Sequence, residues 1–164
     1  NQKIIYADKY SKNPDDLKID LEDYNQNFQK KFQNVFLFNV LEHIYNFKNC
    51  LKVCYSLLET NGSFYGSTPF FFRIHGSPND YFRYTEQSLV KLLEEQGFRE
   101  IKITNLNGGI FLCFFSSISL FANRIPFLNN IFFIIFHLLD LFISIFSKQS
   151  KNIYPLGYFF EGKK

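Results

Sequence analysis

Methionine and tryptophan are absent from this 164-residue chain, glycine occurs eight times and cysteine three times. Because Asn1 stands where a start methionine would, the true beginning of the reading frame is expected upstream. The first glycine is Gly62 and no Gly-x-Gly follows it, so no glycine-rich cofactor loop lies within these residues. The odd cysteine count argues against a disulfide framework. Cys50 and Cys54 sit four apart in a helical pattern, where both face a core, and all three thiols are expected to be reduced, buried and intracellular. The opening residues given carry no signal-peptide pattern. Charge of one sign is also lacking: the net charge is +3, with lysines scattered among acids, which excludes a nucleic-acid-binding stripe.

The chain is rich in apolar and aromatic side chains, 46% and 20%, including 23 Phe. Together with abundant Lys, Asn, Ile and Tyr, this is the composition of AT-rich coding, so much of the Phe excess is codon bias. The length suits one domain with a real core. Strand and helix signals alternate along it, which favours an α/β sheet. "KIIYAD" reads as a strand ending at Asp8, and "LKIDL" as a brief second one ending near Asp20. "NVFLFNV" is the continuous apolar run of a parallel strand covered on both faces. Phe47, Cys50, Leu51, Cys54, Leu57 and Leu58 recur at helical spacing, with a left-handed exit expected at Asn61-Gly62. "SFYGST" is a strand before Pro69. Thr85 is an N-cap for a helix with Leu89, Leu92 and Leu93 on one face, and Gly97 ends it. "REIKITNL" alternates as a strand, a long apolar segment follows Gly108-Gly109, and "PLGYFFEG" closes the chain as a strand.

"NVFLFNVLEHI", "LLETNGSFYGSTPF", "HGSPNDYFRYT" followed by "LVKLLEEQGF", and "YPLGYFFEGKK" together resemble the class I S-adenosylmethionine-dependent methyltransferases. The similarity is to the ubiquinone-biosynthesis-like branch with an HGSPxDYxRYT loop. It covers nearly the whole chain in order, except that the family's glycine-rich loop would precede "KIIYAD". It implies an α/β fold, Rossmann-like and doubly wound. The expected sheet is mostly parallel with a C-terminal antiparallel strand. Residues 1–164 would form a single, N-terminally truncated domain with an apolar helical insertion or lid over 108–150. The implied cofactor is S-adenosylmethionine. The implied activity is methyl transfer to a small-molecule, glycan-precursor or lipid-linked acceptor in the full-length form. The alternative is a non-catalytic remnant acting as a membrane-surface or protein interaction module.

Methyl transfer from a sulfonium is an in-line displacement, so the protein mainly holds donor and acceptor together, excludes water and removes a proton where the acceptor needs it. In a doubly wound sheet such groups gather at the carboxyl ends of the strands. The resemblance implies a ribose-binding acid at Asp8, which otherwise reads as a strand-terminating Asp on a solvated turn. Asp20 and Leu21 fall where the family places adenine-edge contacts, in a stretch acidic enough to be a solvated loop. Asn39 ends its strand where a side chain can face the methionine part of the cofactor. Glu42 and His43 follow at the cleft mouth, either as direct catalytic groups or as a helix-start pair that caps the loop. In relatives that make quinones, an acid at the position of Asn39 joins the Glu-His pair around a divalent metal. Here that residue is an amide, and no metal is expected.

His75 is the candidate general base, because an imidazole titrates near physiological pH. The other reading is a hydrogen bond from its ring to the loop backbone. Asp80 and Arg83, three apart, suit a charge-assisted pair that fixes the loop, with Tyr81 and Tyr84 walling the acceptor pocket. These four are the candidate substrate contacts.

"PFLNNIFFIIFHLLDLFISIF" raises the question of a membrane span. Each apolar residue favours insertion by about 0.3 to 0.6 kcal/mol, while an Asp near the centre costs about 2.5 to 3.5 kcal/mol. With Asp140, His137, Asn129 and Asn130 the sum falls near zero, and a crossing would leave the closing strand on the wrong side. A cytoplasmic domain with peripheral membrane contact through residues 110–147, or an apolar lid over the cleft, is therefore expected, with Lys148 and Lys151 near anionic headgroups. Because no glycine cluster is present to grip the methionine end, residues 1–164 alone are expected to bind S-adenosylmethionine weakly or not at all. Micromolar binding in a calorimetric titration of this chain would contradict that.

Overall fold

The computed structural model describes residues 4–26, 28–76, 78–122, 124, 126–147 and 150–164. Its sheet has four strands, β1 (Phe32–Phe38), β2 (Leu58–Pro69), β3 (Arg99–Asn105) and β4 (Gly157–Lys163). Their spatial order is β1-β2-β4-β3. β1 and β2 pair in parallel through the helix α1 (Phe47–Leu57), and β4 runs antiparallel to both β2 and β3. The helix α2 (Glu86–Glu95) links β2 to β3. The apolar segment forms α3 (Ile110–Ala122) and α4 (Pro126–Phe146), and the short α5 (Ser150–Ile153) precedes β4.

Local chemistry accounts for the helix ends. Asn46 caps α1 by accepting from the Asn49 amide, and Thr85 caps α2 by accepting from the Ser88 amide. Gly97, at φ 92, turns the chain out of α2, and the Phe98 amide bonds back to the Leu93 carbonyl. The inner faces of both helices meet one face of the sheet. Cys50, Leu51 and Cys54 of α1 and Leu89 and Leu93 of α2 pack with Leu37, Phe64, Phe98 and Phe160 in one buried cluster. Gly66 is needed in β2 because the Phe160 ring crosses it: a Cβ there would lie 2.2 Å from that ring.

Three expectations need correction. "KIIYAD" and "LKIDL" are not strands among the described residues. They meet only in an isolated bridge between Ala7 and Leu17, and Ile4 and Tyr6 are exposed, so no neighbouring layer holds an extended ladder. The helical exit expected at Asn61-Gly62 comes earlier. α1 stops at Leu57, and Asn61, at φ 62, falls in an irregular stretch of β2, where the register against β1 shifts. Finally, β1 is not covered on both faces among the described residues. Phe36 and Phe38 are exposed on the face away from α1 and stack with Tyr65 and Phe159, rings sheltering rings. The described helices α1 and α2 therefore wind one face of the sheet.

The apolar helices pack against each other as a pair. Gly108 and Pro155 form a bridge at the base of that pair, so the chain leaves the sheet and returns at one place. Asp140, 2% exposed within α4, accepts from the Phe111 and Leu112 amides at the start of α3. It thus caps a helix that would otherwise open on orphan N–H groups. Gly109, at φ +133, makes room for it: a Cβ there would lie 2.2 Å from the Asp140 carboxyl carbon. Asp140→Ala is expected to lower stability by about 1 to 2 kcal/mol, the upper range for a lost cap, as read from urea melts. A variant as stable as the parent would show that the cap does not hold the pair together.

Candidate active site at the strand ends

The carboxyl ends of β1 and β2 and the start of β4 enclose a cleft of about 210 Å³, lined by Asn39, Thr68, Phe72, His75, Leu106 and Leu156 among others. Asn39 follows β1 at φ 51, a left-handed conformation in which Asn is one of the few comfortable side chains. Its amide N–H donates to the Ser67 carbonyl at 2.9 Å, and its Oδ1 accepts from Ser67 Oγ at 3.0 Å. The strand ends are thereby latched together beside the cleft.

Next comes a single 3-10 turn over Leu41–His43, which buries the Glu42 side chain completely. Glu42 Oε2 accepts from Thr68 Oγ1 at 3.5 Å, while Oε1 has no hydrogen-bond partner among the described residues. Two imidazoles face that oxygen: His43 Nε2 and His75 Nε2 each lie 3.7 Å from it. The rings meet edge to face with centroids 4.9 Å apart. His43 Nδ1 lies 2.5 Å from the Asn79 carbonyl, which can only accept, so Nδ1 carries the proton. His75 Nδ1 lies 3.1 Å from Asp80 Oδ2, out of line for a full hydrogen bond. The two candidate histidines, separated by the whole of α1 and β2 in sequence, are thus brought together around one carboxylate.

The loop carrying His75 is clamped from below. Arg83 grips Asp80 with both terminal nitrogens, at 2.5 and 2.8 Å, and donates to the carbonyls of Phe72, Arg73 and Phe82. Asp80 also accepts from the His75 amide at 3.0 Å. Between the two readings of this pair, the geometry is that of a clamp. Tyr84 is corrected from pocket wall to core: it is 5% exposed, sits among the α1 and α2 side chains and donates to the Leu41 carbonyl. Burial pushes its phenol well above the usual range. Tyr81 is half exposed against Tyr45.

The remaining candidates lie on the irregular N-terminal segment. Asp8 is exposed and accepts from the Tyr10 amide. Asp20 pairs with Lys9 at 2.5 Å, and that bond lowers its carboxyl below the ordinary range. Leu21 packs against both buried clusters. Lys148 and the Lys151 side chain, expected near headgroups, lie outside the described residues. Glu42 and Thr68 carry more of the site than sequence reasoning assigned to them. The signal available for Glu42 was an acid beside a His at a strand end, and its burial was not visible there.

No family model matches the chain, and no curated protein is similar to it by sequence. Solved structures do superpose. A SAM-dependent methyltransferase from Archaeoglobus fulgidus matches with a TM-score of 0.58 at 17% identity, over 98% of this chain and 75% of its own. The chain has the fold of the S-adenosylmethionine-dependent methyltransferases. Haemonchus contortus phosphoethanolamine N-methyltransferase 2, solved with phosphomonomethylethanolamine and S-adenosylhomocysteine, matches with a TM-score of 0.50 at 15% identity, over 88% of this chain. The chain spans only 36% of the length of that enzyme. The cyclase SpnF also matches, with a TM-score of 0.52 at 10% identity, over 92% of this chain and 55% of its own. The methyltransferase fold alone therefore does not decide the chemistry.

The clamp makes a testable demand. Arg83 beside Asp80 holds its carboxyl far below the usual carboxylate range. A carboxyl depressed in the folded state contributes stability that is full above its unfolded value of about 3.9 and is lost as pH falls through the folded value. Asp80→Asn is expected to cost about 1.5 to 3 kcal/mol at neutral pH. It should also flatten the decline of stability below about pH 4. Urea melts at stepped pH measure both, and an unchanged acid limb would exclude the clamp as its source.

Proposed function

We propose that the protein transfers the methyl group of S-adenosylmethionine to an acceptor that enters the strand-end cleft from the side of the α3–α4 pair, and that this acceptor is lipid-linked. The observation that carries the reading is the convergence of Asn39, Glu42, His43 and His75 at the carboxyl end of a methyltransferase-type sheet. Of the residues present, Asn39, in its left-handed turn at the end of β1, is the one that would face the methionine end of the cofactor. Asp8 and Asp20 are the acids for its ribose and adenine, and Asp20 would have to share its carboxylate with Lys9. When bound, the cofactor supplies the electrophilic methyl and a neutral thioether leaving group.

His75 is the group that removes the acceptor's proton, at Nε2, and the buried Glu42 carboxylate stabilises the imidazolium that results. Asp80 and Arg83 hold the loop so that the ring stays over the cleft. Leu106 and Leu156, at the base of the helical pair, form its apolar wall.

The lipid-linked acceptor is supported by α4. Phe127–Phe146 is long and apolar enough to cross a membrane, with 6% of its span buried. Its one acid is already satisfied as the cap of α3, so it does not oppose contact with lipid. A full crossing is nevertheless disfavoured. Both ends of the pair return to the Gly108–Pro155 bridge. α3, at 13 residues, reaches about 20 Å, short of a hydrocarbon core of about 30 Å. The pair therefore suits one leaflet, in the manner of a monotopic anchor.

Protein expressed from its complete reading frame should transfer label from methyl-tritiated S-adenosylmethionine into the organic phase of a membrane extract. His75→Ala should lose this transfer, and Phe142→Ser with Phe146→Ser should abolish flotation with liposomes. Label confined to the aqueous phase would refute the lipid-linked acceptor, and no label in any extract would refute the methyltransferase reading.

A further inference from the structure

The structure assigns a second binding site, for a phosphate monoester carried on a single apolar chain, at the amino ends of β1 and β2, opposite the strand-end cleft. It goes beyond the proposed methyl transfer and does not depend on it. A cavity of about 390 Å³ lies there between the irregular N-terminal segment and the end of α1. It is larger than the strand-end cleft and falls within the roughly 300 to 1,000 Å³ of small-molecule sites. Lys30, just before β1, and Leu57, immediately before β2, fix its position. Among the described residues, none of Asp8, Asp20, Leu21 and Asn39 lines it, so it is separate from the groups assigned to the cofactor.

The floor is apolar and the rim is cationic. Leu17, Ile19, Phe28 and Leu57 line the cavity, and Ile19 and Leu57 are buried with Val53 in the smaller core cluster. Lys18 and Lys30 are exposed on the same lining. Neither has an acid: the lysines with ion pairs among the described residues are Lys9, Lys48, Lys102 and Lys163. Acids close by in sequence are committed elsewhere. Asp16 accepts from Ser11 and Asn13, Asp20 pairs with Lys9, and Glu22 accepts from the Asn46 amide. Lys30 Nζ lies 5.6 Å from the centroid of the Phe32 ring, which packs on that same cluster, so the ammonium is held at the edge of the apolar floor.

Helix α1 does not compete for these ammoniums. Its last carbonyls are already taken, by Lys31 Nζ on Ser56 and by Lys164 Nζ on Tyr55 and Leu58. Burial, and then Lys31 beside it, lower the Lys164 ammonium from its ordinary value. Positive charge is therefore gathered at this end of the sheet, and an anion is drawn to it. Two unpaired ammoniums on one lining match a phosphate monoester, whose charge at neutral pH is about −1.5 to −2, better than a carboxylate. The apolar floor calls for a hydrocarbon chain on that phosphate. The base of the α3–α4 pair lies by Leu106 and Leu156 at the other end of the sheet, so the ligand arrives as a dissolved monomer and not from the bilayer.

The test reads binding rather than methyl transfer, so its failure and the failure of the proposed activity are separable. Octyl phosphate, kept below its critical micelle concentration, is titrated calorimetrically into protein expressed from its complete reading frame. One equivalent should bind, and octanol, octanoate and inorganic phosphate should each bind about tenfold more weakly or worse. Lys18→Glu with Lys30→Glu, checked for native circular dichroism, should weaken octyl phosphate about tenfold or more, while Lys18→Arg with Lys30→Arg should retain it. Phe142→Ser with Phe146→Ser, which removes two rings from the outer face of α4, should leave binding unchanged, and adenosine should not displace the probe. No saturable binding, any of the three control compounds binding as tightly as octyl phosphate, or equal affinity in Lys18→Glu with Lys30→Glu would each overturn the site. So would loss of binding in the α4 variant or displacement by adenosine.

Discussion

β4 is hydrogen-bonded on both flanks, to β2 from Ser63–Lys163 to Pro69–Gly157 and to β3 from Arg99–Lys163 to Asn105–Tyr158, and the cleft exists because of this double pairing. Without it, β3 and α2 would have no edge to join, and the buried rings of Phe64, Phe98 and Phe160 would lose their common layer. The pairing also returns the chain from the apolar helices to the sheet, so that Leu156 and Gly157 reach the cleft beside Asn39 and Thr68. Lys164 holds the far end of the sheet. Lys164 Nζ donates to the Tyr55 and Leu58 carbonyls, and its backbone carbonyl accepts from Arg99.

Around the cleft, charge is arranged by depth. Asp80 and Arg83 neutralise each other beneath the loop and tie it to three backbone carbonyls. Glu42 is hydrogen-bonded by Thr68 and faced by two imidazoles, with no guanidinium paired to it among the described residues. The loop is therefore stiffened by a pair that is electrostatically complete. The reactive potential stays with a carboxylate that is not, and local incompleteness of this kind is where chemistry tends to be placed.

The apolar helices show how burial can reverse the meaning of a residue. By its position in α4, Asp140 looks like an obstacle to lipid. In the fold it is turned inward, onto the start of α3, with Gly109 yielding space. The outer surface is then left to Phe127, Ile134, Leu138, Phe142, Ile145 and Phe146, all well exposed. A polar group that is satisfied from within costs nothing on the outside.

Most of the elements were legible in the sequence because their signals are local. Helical spacing located α1 and α2, Thr85 and Gly97 marked the ends of α2, and the apolar runs before Asn39 and Pro69 located β1 and β2. Asp80–Arg83 was legible too, being three residues apart. What failed were segments whose state depends on a neighbouring layer: "KIIYAD" has the pattern of a strand, but no ladder extends from it among the described residues. Tyr84 could not be told from a pocket residue, because its burial depends on α1, more than twenty-five positions earlier. Sequence alone determined the order and kind of β1 to β4, α1 and α2, and the residue types available for chemistry. Only the tertiary structure decided that His43 and His75 share Glu42 and that Asp140 is a cap, because each contact joins residues some thirty positions apart and depends on sheet pairing for its geometry.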